Sequence, residues 1–397
     1  MRQVTDIKNV MRLKYLNAFK NLRNTTKPIL VTGVCGSGKT WIVESYISAL
    51  SEEENVNVIR ASLDNPKKEE NKEKKILALA GEKYKEDLTN IILIDNACYF
   101  KELKNTIKEA QGIGIKDIFI ISSNDGPRIK ESLAYDVEEV NVLPYSFKEY
   151  AVCLNEGGES DIFASYLKYG GIPENVQKNT ENIAYRKDLT EKIFQKSADI
   201  RRGCSDKLLR KTARYLALNA GKAVSLRKMA RDISEGDTLT NDKTISTYIS
   251  YLEDAGLIFQ VPFYDASKKE MLPNKREYFF SDHSFMTDLC LDEKIPDLDK
   301  LKNITATELK RRGYDIFSVQ HYGDNIDFLA KKSGMKIYIQ LVSDAENKEE
   351  ISEKKASMLK IRDAYPKMII TPGNASSADA DGVLFTGIEK FLLGSQF

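Results

Sequence analysis

Eight residues near the amino terminus constrain the fold more than any other part of this 397-residue chain. Residues 33–40 read GVCGSGKT, which satisfies the pattern G-x-x-x-x-G-K-[ST]. Residues 28–32, PILVT, are predicted to form a short buried strand, and residues 40–51 carry apolar side chains at helical spacing. A glycine-rich loop between a strand and a helix is the context that this motif requires. The sequence therefore predicts a strand, a loop and a helix in that order, as in an α/β fold.

The residue types of this loop suit a nucleoside triphosphate. The glycines allow the backbone to point successive N–H groups at phosphate oxygens, and the following helix adds the partial positive charge of its first turn. Lys39 would contact the β- and γ-phosphates, and the Thr40 hydroxyl would bind Mg²⁺. No guanine-specificity motif such as N-K-x-D occurs, so ATP is taken as the nucleotide. The predicted ATP-binding residues of the loop are Gly33, Gly36, Ser37, Gly38, Lys39 and Thr40.

Short apolar runs within the first 150 residues predict a doubly wound parallel sheet of five strands. Besides the strand before the loop, they occupy residues 56–61, 91–94, 118–121 and 140–143. Ligands of such sheets bind at the carboxyl ends of the strands. Asp95, which follows residues 91–94, is therefore predicted to hold Mg²⁺ together with Thr40. Ser122 and Asn124 follow residues 118–121 and are predicted to sense the terminal phosphate; the alternative is ordinary turn chemistry at a strand end.

The rest of the chain changes its pattern twice. From residue 145 to about residue 196 it is predicted to be helical, with breaks at 155–158 and 170–173. Between about residues 206 and 282, three helices are followed by two strands, which is the order of a winged helix. From about residue 297 onward, helices and strands alternate in a third, α/β module. We therefore expect several domains rather than one.

Seven segments of this chain resemble a known family. They are residues 33–40, 91–95, 143–150, 169–174, 244–258, 278–282 and 325–328, and they span nearly the whole sequence in the expected order. The chain resembles the bacterial and archaeal ATPases that join an AAA-type P-loop domain to a conserved C-terminal domain of unknown function. The resemblance implies an AAA-type core at 1–150, a helical lid at 151–205, a winged helix at 206–296 and a restriction-endonuclease-like module at 297–397.

Two departures from the family pattern bear on catalysis. Members of the family usually carry Asp-Glu where this chain has Asp95-Asn96, and Gly-Arg where it has Tyr135-Asp136. Both changes remove groups that could act near the γ-phosphate. An amide cannot accept a proton from water, although it can orient a water molecule. We predict that ATP and Mg²⁺ bind, with Lys39 and Asp95 serving any hydrolysis, and we leave open whether ATP is hydrolysed.

The endonuclease-like module lacks half of the residues that its chemistry would need. The pattern is a helix acid, a strand acid and then Glu-x-Lys on the next strand, which together hold metal and activate water. Glu308 and Asp327 occupy the first two places, but Gln340 and Val342 occupy the last two. We therefore predict that this module is not a nuclease.

The partner of the predicted winged helix is left open between DNA and protein. A DNA reader would present Lys243, Ser246, Thr247 and Ser250, with basic residues between Arg201 and Arg214 contacting phosphates. Acidic residues flank the reading helix, and the net charge is only +1. Arg201 or Arg202 is equally a candidate for an arginine finger directed at a bound triphosphate.

The amino-acid composition bears on the cellular location and on the class of partner. The 60 basic residues nearly balance the 59 acidic ones, so no global field attracts nucleic acid or anionic membrane. The five scattered cysteines show no metal or disulfide spacing. No apolar run approaches the roughly 18 residues that cross a bilayer. We expect a cytoplasmic protein without a membrane partner.

Two hypotheses for the function remain. The first is an ATP-binding AAA-type ATPase with weak turnover that acts as a nucleotide-dependent switch and controls the winged-helix and C-terminal modules. The second is a DNA- or protein-binding protein that keeps its nucleotide without hydrolysing it. Asn96 is the feature that favours the second.

Overall fold

The computed structural model describes residues 12–23, 25–61, 71–123, 125–154, 159–177, 183–234, 240–373 and 376–394. By their contacts, the residues form two compact units. The first comprises Met1–Pro144, Lys192–Cys204 and Asp254–Gly256. The second comprises Tyr145–Glu191, Ser205–Glu253 and Leu257–Phe397. Each unit has its own sheet.

The first unit is built on a parallel sheet of five strands, as predicted. Its strands are β1 (Ile29–Thr32), β2 (Val56–Ala61), β3 (Thr89–Ile94), β4 (Asp117–Ile121) and β5 (Glu138–Asn141). Their spatial order is β2-β3-β4-β1-β5, and every neighbouring pair is parallel. Strand β1 lies between β4 and β5, so the residues that follow it lie at the carboxyl edge of the sheet, beside the ends of those two strands.

Helices cover both faces of this sheet. They are α1 (Leu13–Arg23), α2 (Lys39–Glu53), α3 (Lys72–Lys83), α4 (Leu103–Ile113) and α5 (Gly126–Ser132), with a 3₁₀ turn at Ala97–Tyr99. Alternate residues of β3 belong to different cores. Ile91 packs in the core of α1 and α2, whereas Ile92 packs in the core of α3, α4 and α5. Burial on both faces explains why these strands appear in the sequence as continuous apolar runs.

The second unit begins with helices and continues into a hairpin. The helices are α6 (Phe147–Leu154), α7 (Glu159–Tyr169), α8 (Pro173–Gln177), α9 (Ile183–Ile200), α10 (Asp206–Leu218), α11 (Leu226–Ile233) and α12 (Asp242–Asp254). The hairpin strands are β6 (Ile258–Asp265) and β7 (Glu270–Phe280), and an isolated antiparallel bridge joins Val224 to Arg276 of β7. Serine side chains fix two helix starts, because Ser205 and Ser225 accept hydrogen bonds from the backbone N–H three residues on. From residue 192 onward, α9 belongs to the first unit.

The hairpin is part of a larger mixed sheet. The remaining elements are α13 (Ser284–Leu289), α14 (Asp297–Arg311), β8 (Asp315–His321), β9 (Asp324–Lys332), β10 (Met335–Leu341), α15 (Lys348–Leu359), β11 (Lys367–Thr371), β12 (Ser376–Ala378), β13 (Leu384–Gly387) and α16 (Ile388–Leu393). The sheet has the order β12-β13-β11-β10-β9-β8-β6-β7. Strand β6 pairs in parallel with β8, with Phe263 opposite Ser318. One sheet therefore continues across residue 296, where the sequence predicts a domain boundary.

Three of the segments that carry the family resemblance lie together in the second unit. Asp282 accepts hydrogen bonds from the backbone N–H groups of Gly171 and Ser284, over 2.8 and 2.9 Å. Gly170 has a φ of +75°, and a Cβ there would collide with the Asp282 carboxylate. The backbone N–H of Tyr145 donates to the Gly171 carbonyl over 2.7 Å. These segments therefore have a structural role, in which a buried carboxylate ties two loops together.

Among the described helices, none combines the length with the apolar character that spanning a bilayer would require.

Candidate phosphate-binding site

The loop between β1 and α2 has a backbone path that depends on glycine. Gly33, Gly36 and Gly38 have φ values of +138°, +82° and +88°. A Cβ on Gly33 would collide with the carbonyl oxygen of Val142, so this position excludes any side chain. Gly38 caps α2, and no side chain caps the N–H groups of the first turn. Exposed donors and the helix dipole together make this end of α2 suitable for an anion.

Lys39 is a buried cation within this loop. Its Nζ donates hydrogen bonds to the carbonyl oxygens of Gly33 and Val34, both over 2.8 Å, and the residue is only 5% exposed. Burial lowers the pKa of Lys39 to about 8, and the nearby Lys196 acts in the same direction. A buried ammonium that lacks full charge compensation would be stabilised by an anionic ligand. The residues present therefore fit a bound phosphate.

Thr40 and Asp95 meet at the carboxyl edge of the sheet, as predicted from the strand order. The Thr40 hydroxyl donates to Asp95 Oδ2 over 3.4 Å, and Asp95 Oδ1 accepts the backbone N–H of Asn96 over 2.6 Å. An alcohol and a carboxylate are oxygen ligands of the kind that Mg²⁺ takes, alongside water and substrate phosphates. The described residues contain no group of three or more His, Cys, Asp or Glu side chains arranged for a metal. A metal at this site would therefore depend on the nucleotide for part of its coordination.

Of the two predicted phosphate sensors, only Ser122 can be placed. It is 1% exposed, and its backbone N–H donates to the carbonyl of Val31, the residue paired with the end of β4. Asn124 lies outside the described residues. The Ser37 hydroxyl is buried and has no hydrogen-bond partner within the described part of the chain. An unpaired buried hydroxyl in the loop is consistent with a ligand that would supply the partner.

Sequence reasoning missed two basic residues that contact this site. Lys196, in α9, donates to Asn96 Oδ1 over 3.0 Å. Arg12, just before α1, donates to the carbonyl oxygens of Ser37 and Leu143 over 3.0 and 3.1 Å. Neither residue lies in a motif, so local sequence offered no signal for it. Asn96, which replaces the usual glutamate, is thus itself held by a cation.

The second departure from the family pattern lies elsewhere in the unit. Asp136 precedes β5, at the amino edge of the sheet, and forms an ion pair with Lys27 over 3.4 Å. Tyr135 is 67% exposed. Tyr135 and Asp136 therefore lie at the edge of the sheet opposite to the phosphate loop of this chain.

In the second unit, the two candidate acids of the endonuclease pattern pair with different cations. Asp327 pairs with Lys302 over 2.7 Å and with Lys354 over 3.5 Å. Glu308 accepts hydrogen bonds from Arg311 and Arg312 over 3.2 and 2.7 Å. Within the described residues, neither acid belongs to a group of three or more His, Cys, Asp or Glu side chains that could hold a metal.

Three of the basic residues predicted to contact DNA phosphates, Arg201, Arg210 and Arg214, are paired with acids. Arg201 donates to Asp125 and Asp254, and its side chain is 9% exposed. Arg210 pairs with Asp206 and Glu191, and Arg214 pairs with Asp292 and Glu293. Lys243, Ser246 and Thr247 of α12 are exposed.

Comparison with known proteins decides the class of the first unit. Residues 25–151 match the family model described as an AAA domain. This part of the chain is an AAA-type P-loop domain. Residues 160–296 match a second family model, described only as a domain of unknown function. The AAA-type domain predicted from the sequence is thus confirmed, while the winged helix and the endonuclease-like module stay predictions.

Relatives exist in both bacteria and archaea. The chain is 25% identical over 400 residues to an uncharacterized protein of Haemophilus influenzae, covering 97% of this chain and 98% of that protein. It is 26% identical over 234 residues to the uncharacterized protein MJ1544 of Methanocaldococcus jannaschii, covering 54% of this chain and 52% of that protein.

The solved structures found by comparison share little sequence with this chain and have low TM-scores. Cdc6p from Pyrobaculum aerophilum is 13% identical, with a TM-score of 0.30 over 72% of this chain and 94% of that chain. AMPPCP-bound DnaA from Aquifex aeolicus is 14% identical, with a TM-score of 0.31 over 62% of this chain and 88% of that chain. The assignment of the domain rests on the match of residues 25–151.

Proposed function

We propose that this chain binds ATP with Mg²⁺ at residues 33–40 and works as a nucleotide-dependent switch with slow hydrolysis. The observation that carries the proposal is the geometry of the loop, in which the buried Lys39 ammonium is held by the carbonyl oxygens of Gly33 and Val34 at the amino terminus of α2. A bound triphosphate would supply the negative charge that this position lacks. Through residues 206–397, the switch would control a winged-helix and C-terminal interaction module.

Each residue of the loop has a defined task in this proposal. The backbone of residues 36–39 donates to phosphate oxygens, and Lys39 neutralises the β- and γ-phosphates. Thr40 and Asp95 would hold Mg²⁺, which supplies charge neutralisation at the phosphates when bound. Ser37, with its unpaired buried hydroxyl, is a further donor. Ser122 and Asn124 remain the proposed sensors of the terminal phosphate.

Slow turnover follows from the chemistry of residue 96. An amide cannot take a proton from an attacking water molecule. The Asn96 amide oxygen also accepts a hydrogen bond from Lys196, which leaves it less free to orient water. Lys39 and Asp95 can still position phosphate and metal, so we expect binding to be strong relative to hydrolysis.

The lone tryptophan provides a direct binding assay. Trp41 is the only tryptophan of the chain and follows Thr40 directly. We expect its fluorescence to change on titration with Mg²⁺-ATP in the wild type and in Lys108→Ala, an exposed lysine of α4. Lys39→Ala should show no saturable change. At a hundred times the dissociation constant, ATP should stabilise the wild type by about 2.7 kcal/mol. A wild-type melting curve unmoved by millimolar Mg²⁺-ATP would refute the proposal.

The second hypothesis differs only in turnover and partner. It is supported by the Lys196–Asn96 bond, which favours a nucleotide that stays bound without being hydrolysed. Phosphate release equal in wild type and Lys39→Ala, with ATP binding lost only in the variant, would establish this alternative. The ion pairs of Arg201, Arg210 and Arg214 favour a protein partner over DNA, because paired arginines contribute less to phosphate contacts. A salt-sensitive gel shift with duplex DNA would reverse that preference.

The setting proposed for this activity is the cytoplasm. None of the five cysteines, all of which lie in the described residues, forms a disulfide bond, which supports a reducing compartment.

A further inference from the structure

Two short segments join the first unit from beyond residue 144. They are Lys192–Cys204, the end of α9 with the loop after it, and Asp254–Gly256, the turn between α12 and β6. The residues that flank the turn, Glu253 and Leu257, belong to the second unit. Within the first unit, Gly256 lies beside the phosphate loop, and Lys196 and Arg201 bond to Asn96 and Asp125, which follow β3 and β4.

The turn contacts the phosphate loop through backbone atoms. Gly256 has a φ of +67°, and a Cβ built on it would lie 3.0 Å from the backbone nitrogen of Val34 and 3.2 Å from the carbonyl carbon of Gly33. A side chain at these distances would push the backbone of the loop away by a few tenths of an ångström. Glycine therefore suits this position, because it avoids that displacement and adopts the positive φ without strain.

Arg201 ties the turn to the segment after β4. It donates to Asp254 Oδ2 over 2.8 Å and to Asp125 Oδ1 over 3.1 Å. The backbone N–H of Asp125 donates to the carbonyl of Asp254 over 3.2 Å. Burial raises the pKa of Asp254, and Arg201 opposes that shift. Asp125 lies three residues after the proposed sensor Ser122. The Arg201 guanidinium therefore connects the end of α9 with both the turn after α12 and the residues that follow β4.

We propose that Arg201 and Gly256 are positioning residues of the nucleotide site, through which occupancy of the phosphate loop is coupled to helix α12. The proposal rests on the nucleotide binding proposed above. A nucleotide that orders residues 33–40 and the segment after β4 also orders the turn, because the turn contacts both. Helix α12 ends at Asp254 within this turn, so its last turn takes part in the ordering. By reciprocity, a partner that binds α12 would change nucleotide affinity by the same factor.

The test follows both ends of this coupling in the full-length chain. Trp41 fluorescence measures the affinity for Mg²⁺-AMP-PNP, and amide hydrogen exchange of residues 242–258 is compared with and without that analogue. In the wild type, we expect the analogue to slow exchange there about fivefold or more, within the usual range of coupling. Arg201→Met should still bind the analogue at the loop, within about tenfold of wild-type affinity, and should lose the exchange difference. Arg227→Met, at a residue whose side chain is 91% exposed, should behave like the wild type.

Further variants test whether the effect of Arg201→Met comes from the lost ion pairs rather than from a general loss of structure. Arg201→Lys, which can still pair with one carboxylate, should retain part of the exchange difference, and Asp254→Asn should reduce it. Gly256→Ala should weaken analogue binding about tenfold or more, because its Cβ would displace the backbone of Val34. If the wild type binds and residues 242–258 exchange equally with and without the analogue, the coupling is refuted. It is also refuted if Arg201→Met keeps the wild-type difference. If the wild type itself fails to bind, the proposed function falls instead.

Discussion

Lys196 donates a hydrogen bond to the side-chain oxygen of Asn96 over 3.0 Å, directly beside the predicted metal ligand Asp95. The two residues are a hundred positions apart in the sequence, and both belong to the first unit. The relationship shows that residue 96 differs from a general base in two ways. Its side chain has no proton affinity, and its oxygen is already an acceptor for an ammonium group. Under the proposed function, we expect hydrolysis to be limited at this position, whereas the proposed binding residues Lys39 and Thr40 are both present.

Asn96→Glu should therefore raise the rate of ATP hydrolysis. A carboxylate at this position would accept the proton of the attacking water, an effect typically worth 10²- to 10⁴-fold. We expect a gain of about tenfold to a hundredfold, below that range, because Lys196 would pair with the new carboxylate and lower its pKa. Steady-state phosphate release at saturating Mg²⁺-ATP measures the gain. Asn96→Gln, which has the same length without the charge, is the control, and equal rates for the two variants would contradict the argument.

Lys196 should also distinguish ATP from ADP. Lys196 bonds to Asn96 beside Asp95 and contributes to the lowered pKa of Lys39, so we expect both ammonium groups to act on a bound phosphate. Lys196→Gln should weaken ATP binding about tenfold and ADP binding by less, because the additional negative charge of ATP is on its terminal phosphate. Titrations monitored by Trp41 fluorescence give both affinities. Lys192→Gln, an exposed lysine one turn earlier in α9, should leave both unchanged. An equal loss for the two nucleotides would place Lys196 away from the terminal phosphate.

Alanine substitutions at two glycines should have opposite effects on stability, because one glycine is required by the loop geometry and the other only lowers helix propensity. Gly33→Ala places a methyl group against the Val142 carbonyl in a residue with φ +138°, so we expect a loss of about 2 kcal/mol or more in stability and a loss of ATP binding. Gly81 lies inside α3, and a Cβ there would meet no atom within 4 Å. Gly81→Ala should instead stabilise the chain by about 0.5–1 kcal/mol. Urea unfolding of both variants, with ATP titration, checks the pair. A tolerated Gly33→Ala that binds ATP normally would contradict the role assigned to the loop.

The parts of this fold that were predicted correctly depend on local sequence. Residues 33–40 have a motif in the right context, and β3 and β4 are apolar on both faces, so periodicity and length indicate strands. The meeting of Thr40 and Asp95 followed from topology, because parallel strands bring their carboxyl ends to one edge.

The parts that were missed depend on contacts between distant residues. Nothing near Lys196 or Arg201 in the sequence indicates that they reach Asn96 and Asp254. The pairing of β6 with β8 joins two predicted domains into one sheet, and the local sequence of a strand does not indicate which distant strand it pairs with. Strands β12 and β13, three and four residues long, are too short to show a period.

Glu277 should make the stability of the second unit depend on pH. Burial raises the pKa of its carboxyl group to about 7, and the nearby Asp327 adds to the shift, while Ser318, Lys302 and Lys275 oppose it. The folded state therefore holds a proton that the unfolded chain releases near pH 4.5. Between these values, the folded state binds more protons, so stability falls as the pH rises.

Glu277→Gln removes this titration and keeps an acceptor for the Ser318 hydroxyl, which donates to Glu277 Oε2 over 2.7 Å. We expect the variant and the wild type to have similar stability at pH 4.5–5, where the folded wild type is protonated. At pH 8, the variant should be more stable by on the order of 1–2 kcal/mol, which is less than the full pKa shift would give because water screens part of the charge. Urea unfolding curves at both pH values measure the difference. Glu270→Gln, at an exposed acid of β7, is the control and should leave the pH dependence of the wild type unchanged. A constant difference between the Glu277 variant and the wild type across this range would show that Glu277 does not change its protonation on folding.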